Sequence, residues 1–136
     1  MIDPPTPRAV FLQSLRRCSE SEDFIPAFYK RFLESSDEVR HKFRFTDFEL
    51  QNKMLQRSLE LCAGATIGEP EALREIHERA TTHDRRHLNI ESHLYDFWLE
   101  SIIQTASVFD QQWDKEIEFA WRRILGHVVE HMIRHY

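Results

Sequence analysis

The sequence predicts an all-α domain, and three observations carry that prediction. Apolar residues recur at helical spacing, as in the stripe Leu73, Ile76, Ala80 and His83. Helix start signals recur along the chain, among them Thr6-Pro7, Ser35-Ser36-Asp37-Glu38 and Thr46-Asp47-Phe48-Glu49. Only 3 glycines and 5 prolines are present, too few for the tight turns of an all-β fold, and no strand-like alternation stands out. A chain of 136 residues closes a single core, and no repeat, low-complexity tract or linker divides it. One domain, 1–136, is expected.

The elements follow in order. Thr6 caps a first helix with Pro7 at its first position, burying Val10, Phe11 and Leu15. Ser19-Glu20-Ser21-Glu22 reads as a capping box for a helix with Phe24, Phe28 and Phe32 on one face. Pro26 falls in its first turn or so, where a missing N–H is tolerated. The box at Ser35–Glu38 precedes a short helix ending around Phe43. The box at Thr46–Glu49 opens a helix to about Gly64, with Phe48, Leu55, Leu59 and Cys62 buried and Gln51 and Asn52 at the stripe's edges. A loop runs from Gly64 to Pro70, which starts the helix closed by His83. Asn89 is placed to cap a helix carrying Leu94, Tyr95, Phe97, Trp98 and Ile102. The last helix runs from about Gln111 to the end and buries Trp113, Ile117, Ala120, Trp121, Ile124, Val128 and Met132.

Composition narrows the function classes. Hydrophobic residues at 41% and charged residues at 30% suit a soluble globular protein. A net charge of -5 argues against nucleic acid as a partner, which favours a basic face. No apolar run approaches the ~20 residues of a membrane span. Met1-Ile2-Asp3-Pro4-Pro5 lacks signal-peptide architecture, and Cys18 and Cys62 form neither a metal spacing nor a disulfide framework. A cytoplasmic protein is expected. Ten phenylalanines suit a core that lines something large and flat, and equally an ordinary helical core.

Three metal chemistries compete. His83 closes an apolar stripe, and an imidazole facing a core needs a partner for its nitrogens. A backbone carbonyl supplies one and a metal or heme iron another, neutral imidazole being the commonest metal ligand. His127, His131 and His135 lie four residues apart on one face of the last helix. Zinc needs three or four ligands converging in space, so this terminal stripe reads as a solvated face. Glu38-Val39-Arg40-His41 is a Glu-x-x-His unit, but a di-iron bundle needs two and further glutamates.

The third chemistry is heme, and a family resemblance carries it. Phe28-Tyr29-Lys30-Arg31-Phe32, then Asp37-Glu38-Val39 and Phe43, then Gln51 to Leu55, follow one another along the chain. His83 with Ile90 and Tyr95, and Ala120-Trp121, complete the series. In order and near-matching spacing, from about Phe24 to Met132, these residues resemble bacterial globins. The heme domain of flavohemoglobins and the single-domain hemoglobins are the nearest pattern. The resemblance implies a globin fold, a helical sandwich around a heme pocket, with heme b as cofactor. It makes His83 the proximal iron ligand and lays Phe43 flat on the macrocycle. Tyr29 and Gln51 face the sixth coordination position, Asn52 competing with Gln51 for that place, and Leu55 closes the distal side. Tyr95 joins the cofactor wall, and His87 meets a propionate, is simply solvated, or rivals His83 as ligand. A phenol or amide donor in a dry pocket favours a gas ligand that gains negative charge on iron. Dioxygen, carbon monoxide and nitric oxide are the implied ligands.

Three departures refine the expectation. The corner between Phe43 and Gln51 is shorter than in the flavohemoglobin pattern, and the stretch from His83 to Ile90 is longer. The late-helix glutamate that supports the proximal histidine in flavohemoglobins falls on Tyr136. A less anionic imidazole follows, suited to reversible gas binding for carriage, storage or sensing more than to oxidative turnover. Two alternatives stand beside it. One is a heme-free globin-like module for signalling or dimerisation. The other is a heme enzyme such as a nitric oxide dioxygenase or peroxidase, served by an external reductase. The resting sixth ligand stays open between Gln51, a tyrosinate from Tyr29 and a second histidine, and so does the oligomeric state.

Overall fold

A computed structural model describes residues 4–136; Met1, Ile2 and Asp3 of the stretch tested for a leader lie outside the described residues. Seven helices and no strand are present among the described residues. They are α1 (Pro7–Ser19), α2 (Phe24–Ser35), α3 (Asp37–Lys42), α4 (Phe48–Ala65), α5 (Pro70–His83), α6 (Ser92–Phe109) and α7 (Lys115–Arg134).

Caps set most of these boundaries. The Thr6 hydroxyl accepts from the Ala9 N–H at 3.1 Å, with Pro7 opening α1 as expected. At α3 and α4 the working cap sits one residue inside the box read from sequence. Ser36 accepts from the Glu38 N–H at 3.2 Å, and the Asp47 carboxylate from Glu49 and Leu50 at 3.1 and 3.3 Å. The Ser19–Glu22 box is not used. Burial of Leu15 and Cys18 carries α1 on to Ser19, and Ser21 instead accepts from the Asp23 N–H ahead of an α2 with no side-chain cap. Asn89 does not cap α6 either: at φ 54° it occupies the left-handed region that asparagine tolerates, and α6 starts at Ser92. α7 begins four residues later than Gln111, where Asp114 accepts from the Ile117 N–H at 2.9 Å.

Packing follows from the buried faces. α1 lies on α7, α2 on α6 and α4 on α5, while α7 also meets α5 and α6. Phe11, Phe24, Phe28, Leu59, Ile102, Trp121 and Leu125 are fully enclosed. Phe11 meets the Trp121 ring edge-on at 4.8 Å, an arrangement that aromatic quadrupoles favour. Val10, Phe48, Phe97, Trp98 and Trp113 are only partly buried at the margins of this core. One expected core residue faces out. Leu73 is 46% exposed, and Ala72 takes its place in front of Ile76 and Ala80. The small side chain suits the start of α5, where a Cβ on Gly64 of α4 would crowd Glu69 and Ala72.

A polar anchor joins the two ends of the chain. The enclosed Asp110 carboxylate accepts from the Ser14 hydroxyl at 2.6 Å and from Arg17 at 2.6 and 2.9 Å. Ser14 in turn accepts from the Trp121 indole N–H at 2.8 Å. Burial alone pushes the Asp110 pKa up, yet the hydrogen bonds from Arg17, Ser14 and Gln112 leave it below the usual carboxylate value.

Candidate functional site

Tyr29 is held by α2 among aromatic rings, because the helix repeat places it beside the buried Phe28 and Phe32 face. Its ring lies 5.4 Å from that of Phe48 and 5.9 Å from that of Phe43. Phe43, the residue that ends α3, stacks on Phe48 at 6.1 Å and 22° and meets Phe32 edge-on at 5.6 Å. Into this box α4 brings Gln51, whose amide N–H donates to the Tyr29 hydroxyl at 3.1 Å. Leu55, one turn further along α4, is buried. Burial pushes the Tyr29 phenol up to about 12, against opposing effects of the Gln51 hydrogen bond and the Arg79 charge. At neutral pH Tyr29 therefore keeps its proton.

Between Gln51 and Asn52 the structure makes a clear distinction. Gln51 reaches Tyr29, whereas the Asn52 Oδ1 is buried without a hydrogen-bond partner. Phe48 was read from sequence as core alone, but it forms one wall of the aromatic box. The available signal was its place one turn before Gln51 and Asn52 on α4.

His83 ends α5 and is half-buried. Its Nδ1 lies 2.7 Å from the Arg79 carbonyl and 3.1 Å from the Thr82 hydroxyl. Burial lowers its pKa; the Arg79 carbonyl works against that and the Arg79 charge adds to it. The imidazole is consequently neutral at pH 7. A carbonyl only accepts, so this contact assigns the ring proton to Nδ1 and leaves the Nε2 lone pair for a ligand. Arg79, which sequence reading passed over, sits one turn before His83 and is also felt at the Tyr29 hydroxyl.

The remaining expected residues divide. Tyr95 on α6 is buried, and burial pushes its phenol up to about 12. His87 lies beyond α5, its side chain 54% exposed, with Nδ1 2.7 Å from the Asp84 carboxylate. Tyr136 is tied to the turn after α5: its hydroxyl donates to the Asn89 side chain, and Arg85 donates to its carbonyl at 3.1 Å. Glu38 pairs with His93 at 3.0 Å rather than acting with His41. Lys42 donates to the carbonyls of Leu88 and Asn89 at 3.1 and 3.0 Å, tying the end of α3 to the turn after α5. Cys18 and Cys62 are separately buried free thiols, and none of the described helices is long and apolar enough to cross a membrane.

No protein-family model matches the chain, and no curated protein does. Among solved structures it is similar to a protein from Pseudomonas aeruginosa PAO1 described as structurally highly homologous to a human hemoglobin. The TM-score is 0.91 at 28% identity, over 96% of this chain and 98% of that one. The likeness therefore embraces every helix described above, and the architecture that brings Tyr29, Phe43, Gln51 and His83 into their places is a globin fold.

Proposed function

We propose that the protein is a heme-binding globin that reversibly binds a diatomic gas, with His83 as the proximal ligand of heme b. The observation that carries this reading is the His83 contact: a neutral imidazole with Nδ1 fixed on the Arg79 carbonyl and Nε2 unspent. The donor set fits the group, since neutral imidazole is an established axial ligand of heme iron. Phe43, Leu55 and Tyr95 supply apolar wall. His87, exposed and paired with Asp84, is suited to the rim and not to the iron.

When bound, the heme supplies an iron at which dioxygen, carbon monoxide or nitric oxide can coordinate. The chain's own groups do the rest. The Arg79 carbonyl fixes the tautomer and the orientation of His83, as outer partners of metal-bound histidines generally do. Tyr29 uses a lone pair on the Gln51 N–H and keeps its proton, so the phenol can donate to a ligand that acquires negative charge. Phe43, Phe48 and Phe32 keep water from this donor, which strengthens it. A carbonyl behind His83, in place of a carboxylate, supports gas binding over oxidative turnover. A nitric oxide dioxygenase or peroxidase role would draw on an external reductase. The reading sets the protein in a reducing cytoplasm, where burial pushes both thiols up to about 12 and keeps them protonated.

Hemin titrated into the purified chain tests the proposal. The expected result is one heme per chain with a Soret band, and ferrous spectra that respond to carbon monoxide. His83→Ala removes the imidazole-ligated spectrum. No Soret band after reconstitution would leave a heme-free globin-like module, and a His83→Ala variant with unchanged ferric and ferrous spectra would assign the iron to another residue.

A further inference from the structure

We infer that His77, His131 and His135 form a transition-metal site that is separate from the heme and independent of it. One nitrogen from each imidazole lies within 4.8 Å of those from the other two. Ring centroids are 4.2 Å apart for His131 and His135, 5.3 Å for His77 and His135, and 6.4 Å for His77 and His131. The last helix was expected to turn His127, His131 and His135 to solvent. His127 and His135 are exposed as expected, and packing of α5 on α7 sets His77 opposite the last two of the three. His127 parts from the group and lines a cavity with Thr6, Arg8 and Ile67.

The donor chemistry is that of a borderline-soft divalent ion. Three imidazole nitrogens with an open fourth position match a tetrahedral zinc site, and the same donors also take copper. Zinc–nitrogen bonds of about 2.0–2.1 Å put tetrahedral donors roughly 3.4 Å apart. Small rotations of side chains at the surface close the distance from the spacing seen. His135 is already oriented, because its Nδ1 lies 3.1 Å from the His131 carbonyl and so offers Nε2 outward. Burial lowers the His131 pKa, and the charges of His135, His77, Arg134 and His127 lower it further, which favours the neutral form a metal needs. Arg134, the nearest cation on the same helix, is engaged by Glu130 at 2.7 Å. A bound ion would fasten α5, six residues before His83, to the end of α7.

Zinc alone is the probe, added to the full chain stripped of metal. The expected result is one tightly bound Zn²⁺ per chain and a higher unfolding midpoint. His77→Gln and His135→Gln each weaken binding at least tenfold and cancel the rise in midpoint. His127→Gln and His83→Gln leave both unchanged. Because His77 and His135 are exposed, these substitutions do not threaten the core. Failure to take up stoichiometric Zn²⁺, or uptake indifferent to His77→Gln and His135→Gln, would overturn the site. Loss of uptake in His83→Gln would move the ion to the proximal histidine and overturn it equally. A positive zinc result says nothing about heme, so the two proposals fail separately.

Discussion

Tyr29 has one proton and two lone pairs, and the Gln51 amide decides how they are spent. With that N–H on the oxygen, the phenol proton is free to point elsewhere. A hydrogen bond to a group with charge contributes about 1.5–3 kcal/mol. In Tyr29→Phe the dioxygen complex should therefore lose ligand roughly 10–100 times faster, at about 1.4 kcal/mol per factor of ten. Stopped-flow displacement by carbon monoxide measures this, and an unchanged rate would remove Tyr29 from the ligand side. Sequence could point to Tyr29 and Gln51 only through family resemblance, since a lone tyrosine or a first-turn glutamine carries no such signal. Their mutual contact spans 22 residues and exists only once α2 and α4 pack. Phe48 and Arg79 were missed for a related reason: a phenylalanine on a buried stripe and an arginine on an amphipathic helix both look ordinary until their neighbours are known.

At the scale of elements, helix existence was written in the hydrophobic repeat, but helix starts were not fully so. Ser35 and Ser36, or Thr46 and Asp47, are both capping residues, and sequence alone does not say which one leaves helical geometry. The structure chooses Ser36 and Asp47. Asn89 misled because the same side chain serves an N-cap and a left-handed turn, and here the turn wins. Asp47 holds two N–H groups of the turn that delivers Gln51. Asp47→Ala should cost about 0.5–2 kcal/mol of stability. Urea unfolding checks this, and a loss well below that range would mean that tertiary contacts alone hold the start of α4.

For the whole molecule, the fold was legible because its apolar stripes have helical period throughout, and the match to a hemoglobin-like structure at a TM-score of 0.91 bears out the globin fold. That match supports a globin-like fold in general, and not flavohemoglobins in particular. The anchor on Asp110 was not legible: Ser14 and Asp110 are 96 residues apart, and nothing in either local sequence names the other. Removing one partner of a buried charge pair costs about 3–5 kcal/mol, and the lower end applies because Arg17 is 23% exposed. Asp110→Ala should lower unfolding free energy by about 3 kcal/mol in urea titration. The pH dependence has a definite sign. The folded carboxyl lies below 3.8, so its contribution is full above that value and disappears as pH falls through the folded pKa. Acid titration of Asp110→Ala should be flatter than that of the parent over this window. Equal slopes would show that other carboxylates govern acid unfolding.

Lys42 has a consequence of another kind. Its two hydrogen bonds reach carbonyls 46 and 47 residues away, and the chain between contains α4 and α5 entire. The segments bearing Gln51 and His83 are thus halves of one fastened loop. The entropy of closing it is spent once for both, and grows only slowly with so long a span. Gln51 and His83, proposed for opposite sides of the heme, thus ride on one fastened span that packs on α1, α2 and α7.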